Sequence, residues 1–160
     1  MTDKRVLLAT LRAELQSELG RATRHALDAA EAATHEENRP ENDKDMRSTE
    51  TSYVARGQAL RARELETALQ RLGVMEVRDF DARDAIEASA LVDVEQDGRR
   101  VRYFVVPAGG GHRLRDAGRE VVTLATTSPL GKALLGLSAG GEAEVATPQG
   151  ARTVSVLAIR

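Results

Sequence analysis

The sequence predicts an α+β protein in which a long antiparallel α-helical hairpin precedes a small antiparallel β-sheet domain with one short helix. Three observations carry that prediction. Apolar residues recur in steps of three and four over two proline-free stretches, about 4–34 and 45–72. An acidic segment containing Pro40 separates them. From about residue 86 the pattern changes to alternation of apolar and polar residues punctuated by Gly turns, as in short half-buried strands.

In the first helix Leu8, Leu11, Leu15, Leu19, Ala22, Ala26, Ala29 and Ala33 form a coiled-coil seam that passes from leucine to alanine. Gly20 is tolerated within it at about 1 kcal/mol relative to alanine. The break is His35 to Asp45. Pro40 has no N–H and biases Arg39 away from helical dihedrals, so the chain turns there. Glu36, Glu37, Glu41, Asp43 and Asp45 crowd that turn, offset only by Arg39 and Lys44. An acidic tip over 35–45 is expected.

For the second helix the seam positions are Met46, Thr49, Tyr53, Gly57, Leu60, Leu65, Leu69 and Leu72, a pattern less regular than the first. Folding the chain back near residue 40 pairs positions whose numbers sum to about 80, which sets Leu8 by Leu72, Leu15 by Leu65, Ala26 by Tyr53 and Ala33 by Met46. Gly73 ends the helix, and Val74 to Arg83 reads as a linker anchored by Val74, Met75, Val77 and Phe80. The expected domains are therefore 1–76, the finger, and 77–160, the sheet domain.

Ile86, Ala88, Ala90, Val92 and Val94 alternate as in a strand, and Gln96-Asp97-Gly98 supplies a hairpin turn into Val101, Tyr103 and Val105. Little periodicity follows until a strand at 120–125. Ser128 suits a helix N-cap, Pro129 its first position, and Leu130, Ala133, Leu134 and Leu137 one apolar face. Strands at 142–147 and 152–159 flank Pro148-Gln149-Gly150 and complete the sheet.

Composition narrows the function. With 23 basic and 25 acidic residues the net charge is −2, which argues against broad electrostatic binding of free nucleic acid. Aromatics at 2% leave little for base stacking. The absence of cysteine excludes thiol catalysis, disulfides and Cys-type zinc sites. His25, His35 and His112 are too scattered for a metal centre, and no Ser-His-Asp arrangement is evident. Gly109 to Gly111 lacks the Lys-Ser/Thr of a phosphate loop. No membrane contact is expected, since no apolar run is long enough to span a bilayer and the N-terminus lacks the apolar core of a signal peptide; a cytoplasmic location follows as an expectation.

The helical hairpin with its acidic tip, followed by Ser128-Pro129-Leu130-Gly131-Lys132-Ala133-Leu134-Leu135-Gly136 and then Gly140-Gly141-Glu142-Ala143-Glu144-Val145, resembles the bacterial Gre transcript-cleavage factor family over essentially the whole chain. The resemblance implies a sheet domain similar in fold to FK506-binding proteins and a finger that enters the secondary channel of RNA polymerase. It also implies docking at the channel rim through the loop matching Thr127, Ser128 and Pro129. Cleavage-stimulating members carry Asp-x-x-Glu-Asn at the tip. Glu41-Asn42 matches the Glu-Asn pair, while Asn38 stands where the Asp would be and the spacing from Glu41 to Tyr53 is longer than in the family.

The resemblance thus assigns Glu41 and Asp43, with Glu37 and Asp45 as substitutes, to a magnesium ion shared with the polymerase and bound only in the complex. Asn42, Asp43 and Asp45 equally suit the start of a helix. Tyr53-Val54-Ala55-Arg56 is similar to the family's Tyr-x-x-x-Arg segment, one residue shorter, so Arg56 and with it Arg47 are expected to contact RNA or polymerase. The implied function is rescue of backtracked complexes by stimulating transcript cleavage, by a protein that is not itself an enzyme. The implied partners are RNA polymerase and the RNA 3′ end within the complex, with the free protein a monomer. Two other readings stand beside it: a secondary-channel regulator that inhibits without cleavage, and a peptidyl-prolyl isomerase or chaperone, which the scarcity of aromatics disfavours.

Overall fold

The computed structural model describes residues 3–37 and 45–160, with side chains over 3–35 and 49–160. In chain order the elements are α1 (Lys4–Glu37), α2 (Asp45–Gly73), β1 (Leu91–Gln96), β2 (Arg99–Val106), β3 (Arg113–Asp116), β4 (Arg119–Ala125), α3 (Pro129–Leu134), β5 (Glu142–Thr147) and β6 (Gly150–Ile159). The chain divides into two compact units, Met1–Arg12 with Gln70–Arg160, and Ala13–Leu69. The ends of both helices farthest from the break thus belong to the unit that holds the sheet, whereas the sequence-based boundary falls between 76 and 77.

Within the helical unit the seam of α1 follows its predicted period. Leu15, Ala22 and Ala33 are buried and Leu19, Ala26 and Ala29 half-buried. Arg61 donates to the Glu18 carboxylate at 2.9 Å, and these two line a shallow cleft with Ala22 and Leu65. That places the helices side by side and antiparallel at the expected register.

The seam of α2 differs from expectation. Tyr53 is 69% exposed and Leu60 59% exposed, and Thr49 and Gly57 also face solvent. Thr51, Ser52, Ala55, Gln58 and Ala62 are the half-buried positions, leading to Leu65, which is 2% exposed. Counting back from Leu72, Leu69 and Leu65 in alternating steps of three and four gives Ala62, Gln58, Ala55 and Thr51, with Ser52 beside the last. Helical period therefore overrides side-chain size. The proposed contact of Ala26 with Tyr53 is replaced by the small residue Ala55 on the seam side, which suits an alanine-lined α1. Met46 lies outside the described side chains.

In the other unit the sheet has the order β3-β4-β2-β1-β6-β5. It is mixed, not antiparallel throughout: β2 and β4 run parallel, Tyr103 opposite Val122 through Val106 opposite Ala125. The reason is an additional strand. β3, in the segment that showed little periodicity, pairs antiparallel with β4 through a turn at Ala117 (φ 46°) and Gly118 (φ 80°). Leaving β2, the chain passes along the outside first, so β4 returns beside β2 in the same direction.

The strand expected from Ile86 starts only at Leu91, because Ser89 has φ 73° and interrupts extended backbone. Ile86 and Ala90 are nonetheless buried, in a core with Val92, Val94, Val105 and Leu134. The Asp97-Gly98 turn is as expected, both residues having positive φ (52° and 72°), and fixes the β1–β2 register at Gln96 opposite Arg99. β5 and β6 pair as expected.

The revised seam yields a direct prediction. Leu65→Ala should lower unfolding free energy by about 2–5 kcal/mol, the usual cost of emptying a buried leucine site, whereas Leu60→Ala should change it by less than about 0.5 kcal/mol. Urea denaturation of the two variants measures both. Comparable losses would restore Leu60 to the interior.

Candidate functional site

The loop between β4 and α3 is held by short-range contacts. Ser128 has extended backbone (φ −70°, ψ 157°) and its Oγ accepts from Gly131 N–H at 3.0 Å, as an N-cap does. The same hydroxyl donates to the Ala125 carbonyl at 2.7 Å, and the Ser128 N–H donates to that carbonyl at 3.0 Å. Pro129 occupies the first turn, where its missing N–H costs nothing. Thr127 and Pro129 are exposed and Ser128 is half-buried. Two exposed side chains are thereby presented on a backbone fixed from beneath.

Gly131 makes this approach possible. A Cβ there would lie 2.0 Å from the Ala125 carbonyl oxygen. A side chain on Gly110 would likewise come within 2.8 Å of Ala125 N.

At the acidic end, α1 stops at Glu37 and α2 starts at Asp45. Glu41 and Asp43 lie outside the described residues, as do the side chains of Glu37, Asp45 and Arg47. Glu37 and Asp45 are nevertheless placed as the terminal residues of the two helices. Among the described residues no cluster of three or more His, Asp or Glu is arranged to hold a metal ion. His35 is exposed and lies 3.8 Å from Glu31. Further along α2, Arg56 is exposed, three residues on from the outward-facing Tyr53.

The sequence reading missed an ionic cluster on the sheet face opposite α3. Asp93 on β1 accepts two hydrogen bonds from Arg102 on β2, at 2.6 and 2.8 Å, and a third from Arg160 at 3.0 Å. The Arg102 fork holds the Asp93 carboxyl below its ordinary value against the opposing effect of partial burial, and the carboxylate in turn raises Arg102. Lys4 at the start of α1 donates to the carbonyls of Arg78 and Arg160. Burial lowers its pKa, opposed by the nearby Asp79. Phe80 carries two cations over its ring, Arg78 at 3.8 Å and Lys4 at 4.9 Å. The hairpin register alone could have revealed the Asp93–Arg102 pair, since a turn at 97–98 sets them opposite. No local signal points to Lys4.

Two long helices followed by a mixed sheet with one capped helix define a two-part α+β architecture. Residues 81–160, half of the chain, match the family of transcription elongation factors GreA/GreB in its C-terminal part, and the chain belongs to that family. It is 34% identical over 107 residues to a transcription elongation factor GreA of Syntrophobacter fumaroxidans, covering 64% of this chain and 65% of that protein. It is 30% identical over 100 residues to a GreA of Thermomicrobium roseum, covering 62% of this chain and 60% of that protein. The matches thus span less than two thirds of either relative. Among solved structures, the GreA factor homolog Gfh1 of Thermus thermophilus is 22% identical over 93% of this chain and 94% of its own, with a TM-score of 0.38. Gfh1 of Thermus aquaticus is 19% identical over 92% of both chains, with a TM-score of 0.41. Among the described residues, no helix is long and apolar enough to cross a membrane.

Two predictions follow from the geometry. Gly131→Ala should destabilise the protein by on the order of 3 kcal/mol, because the added methyl meets fixed backbone and not a movable side chain; thermal melting checks it, and an unchanged melting temperature would contradict the close approach. The second concerns acid. The folded-state pKa of Asp93 is below its ordinary 3.8, so its stabilising contribution is complete above that value and is lost as pH falls through the folded value. Asp93→Asn should therefore be less stable than the parent at neutral pH, and the gap should close as pH drops below about 4. Urea midpoints across that range measure it.

Proposed function

We propose that this elongation factor binds RNA polymerase by inserting its finger in the secondary channel and rescues backtracked complexes by stimulating cleavage of the transcript. The observation that carries this reading is the outward placement of Tyr53 and Arg56 on α2, the helix that begins at the acidic break. A tyrosine withdrawn from the seam and an arginine with no ion pair or side-chain hydrogen bond among the described residues are free to meet RNA or polymerase groups, as the family resemblance assigns them. Arg47, closer to the tip, would act in the same way near the RNA 3′ end.

Glu41 and Asp43, or Glu37 and Asp45 in their place, supply carboxylate oxygens, the ligand type magnesium prefers. One or two such groups bind the ion weakly alone, so they would share an ion that the polymerase already holds. Bound magnesium lowers the pKa of a coordinated water and polarises a phosphodiester, which favours hydrolysis. The chemistry would then be the polymerase's, and this protein would be an accessory factor with no catalytic centre of its own, monomeric when free.

Thr127, Ser128 and Pro129 are the proposed contact with the channel rim. The Ser128 cap and the Gly131 approach hold that loop rigid, so docking need not order it first.

A backtracked polymerase complex with end-labelled RNA tests both ends of the molecule. The Glu41→Ala, Asp43→Ala double variant should still compete for the polymerase but shorten RNA at least about tenfold more slowly, because it removes carboxylate ligands, while losing no more than about 1 kcal/mol of stability per substitution. Pro129→Ala should fold normally and bind polymerase more weakly. Blocked elongation without shortened RNA would instead identify an inhibitory channel regulator. Unchanged cleavage in the double variant and in Glu37→Ala and Asp45→Ala would remove the tip from the mechanism.

A further inference from the structure

The sheet-bearing unit has a cleft that the finger and the rim loop leave unused. It encloses about 650 Å³ and is lined by Lys4, Phe80, Leu91, Arg102, Arg119 and Arg160, with Asp79 and Asp116 at its sides. A second hollow of about 600 Å³ shares Arg102, Arg119 and Arg160 as its wall. Volumes of this size are those of small-molecule sites.

We infer that this cleft is a binding site for a small organic molecule bearing one anionic group, a phosphate monoester or a carboxylate, on a compact apolar body. Among the side chains, four cations, Lys4, Arg102, Arg119 and Arg160, stand with three carboxylates, Asp79 and Asp116 in this cleft and Asp93 in the adjoining hollow, an excess of one positive side chain. That balance suits a single anionic group and disfavours a polyanion such as a nucleic acid, which would meet Asp79 and Asp116.

The positive groups are held in place before any ligand arrives. Asp93 fixes the guanidinium of Arg102 by a two-point fork and that of Arg160 by a third bond. Lys4 is only 7% exposed, and its ammonium donates to the main-chain oxygens of Arg78 and Arg160, with no side-chain carboxylate within ion-pair distance among the described residues. A partly desolvated cation of that kind is offset by an incoming anion. Arg119 stands exposed at the start of β4, its side chain with no hydrogen bond or ion pair among the described residues, and is free to close on the ligand. Preorganised donors of this sort bind without the usual cost of ordering side chains. Leu91, Phe80 and Ala117 give the lining an apolar part, the Phe80 ring lying under Arg78 and Lys4, and a ring or short chain can use it where a free inorganic anion cannot.

The full-length protein titrated with phenyl phosphate, benzoate, benzyl alcohol and inorganic phosphate, followed by ¹H–¹⁵N NMR, tests the inference. Phenyl phosphate or benzoate should give saturable shifts concentrated at Lys4, Ala117 and Arg119, and the stronger of the two identifies the anionic group. Benzyl alcohol should give none. Arg119→Ala should weaken binding about tenfold, the loss of one charge-assisted contact, and Arg119→Lys should restore part of it; because the exposed Arg119 side chain makes no hydrogen bond or ion pair among the described residues, its variants should melt with the parent. Arg113→Ala, on the opposite face of the sheet edge, should bind as the parent does. Absence of saturation with both aromatic anions, equal affinity in Arg119→Ala, or inorganic phosphate binding as tightly as phenyl phosphate would each overturn the site as described.

Discussion

The backbone at Ala125 is where the sheet-bearing unit is most constrained. Its carbonyl takes two hydrogen bonds from Ser128, Gly131 lies against it too closely for any side chain, and Gly110 closes on its amide from the neighbouring loop. Val106 of the parallel strand pairs with the same residue. One residue thus joins the end of β4, the crossover from β2 and the start of α3. Because backbone atoms meet backbone atoms, the loop cannot relax by rotating a side chain. Thr127 and Pro129 inherit that rigidity.

The finger obeys a different constraint. Two long helices that share a narrow seam must keep heptad period, and period allocates the small residues Thr51, Ala55 and Ala62 to the interior of α2 even though larger apolar groups stand nearby. The displaced residues, Tyr53 and Leu60, form an outer stripe with Gly57. Burying an aromatic residue would contribute more area. Leaving Tyr53 in solvent instead releases it for contact with something outside the chain, which connects the packing of the hairpin with its proposed work in the polymerase.

The ionic cluster on the sheet links elements distant in sequence. Asp93 gathers Arg102 from the next strand and Arg160 from the last, and Lys4 reaches the carbonyls of Arg78 and Arg160 from the first helix. Partial burial strengthens these bonds relative to an exposed pair, and also makes each unmatched charge more costly. The same groups therefore fasten the unit and shape a cleft with excess positive charge.

The sequence by itself determined the features governed by neighbours in the chain. The α1 seam, the Asp97-Gly98 hairpin and the Ser128-Pro129 cap each depend on residues within one or two turns of one another, and α1, β4, α3, β5 and β6 start and stop close to where that local chemistry places them. The Ser128–Gly136 segment was legible enough to indicate the family. The tertiary structure decided the rest. The parallel pairing of β2 with β4 depends on where a four-residue strand, too short to show alternation, finds an edge. The delayed start of β1 depends on Ser89, whose positive φ accompanies a hydrogen bond from its N–H to the Val105 carbonyl. The inner face of α2 was set by its partner helix and not by the size of its own side chains. The cleft around Lys4 joins residues from both ends of the chain, and no local pattern encodes a contact made across that separation.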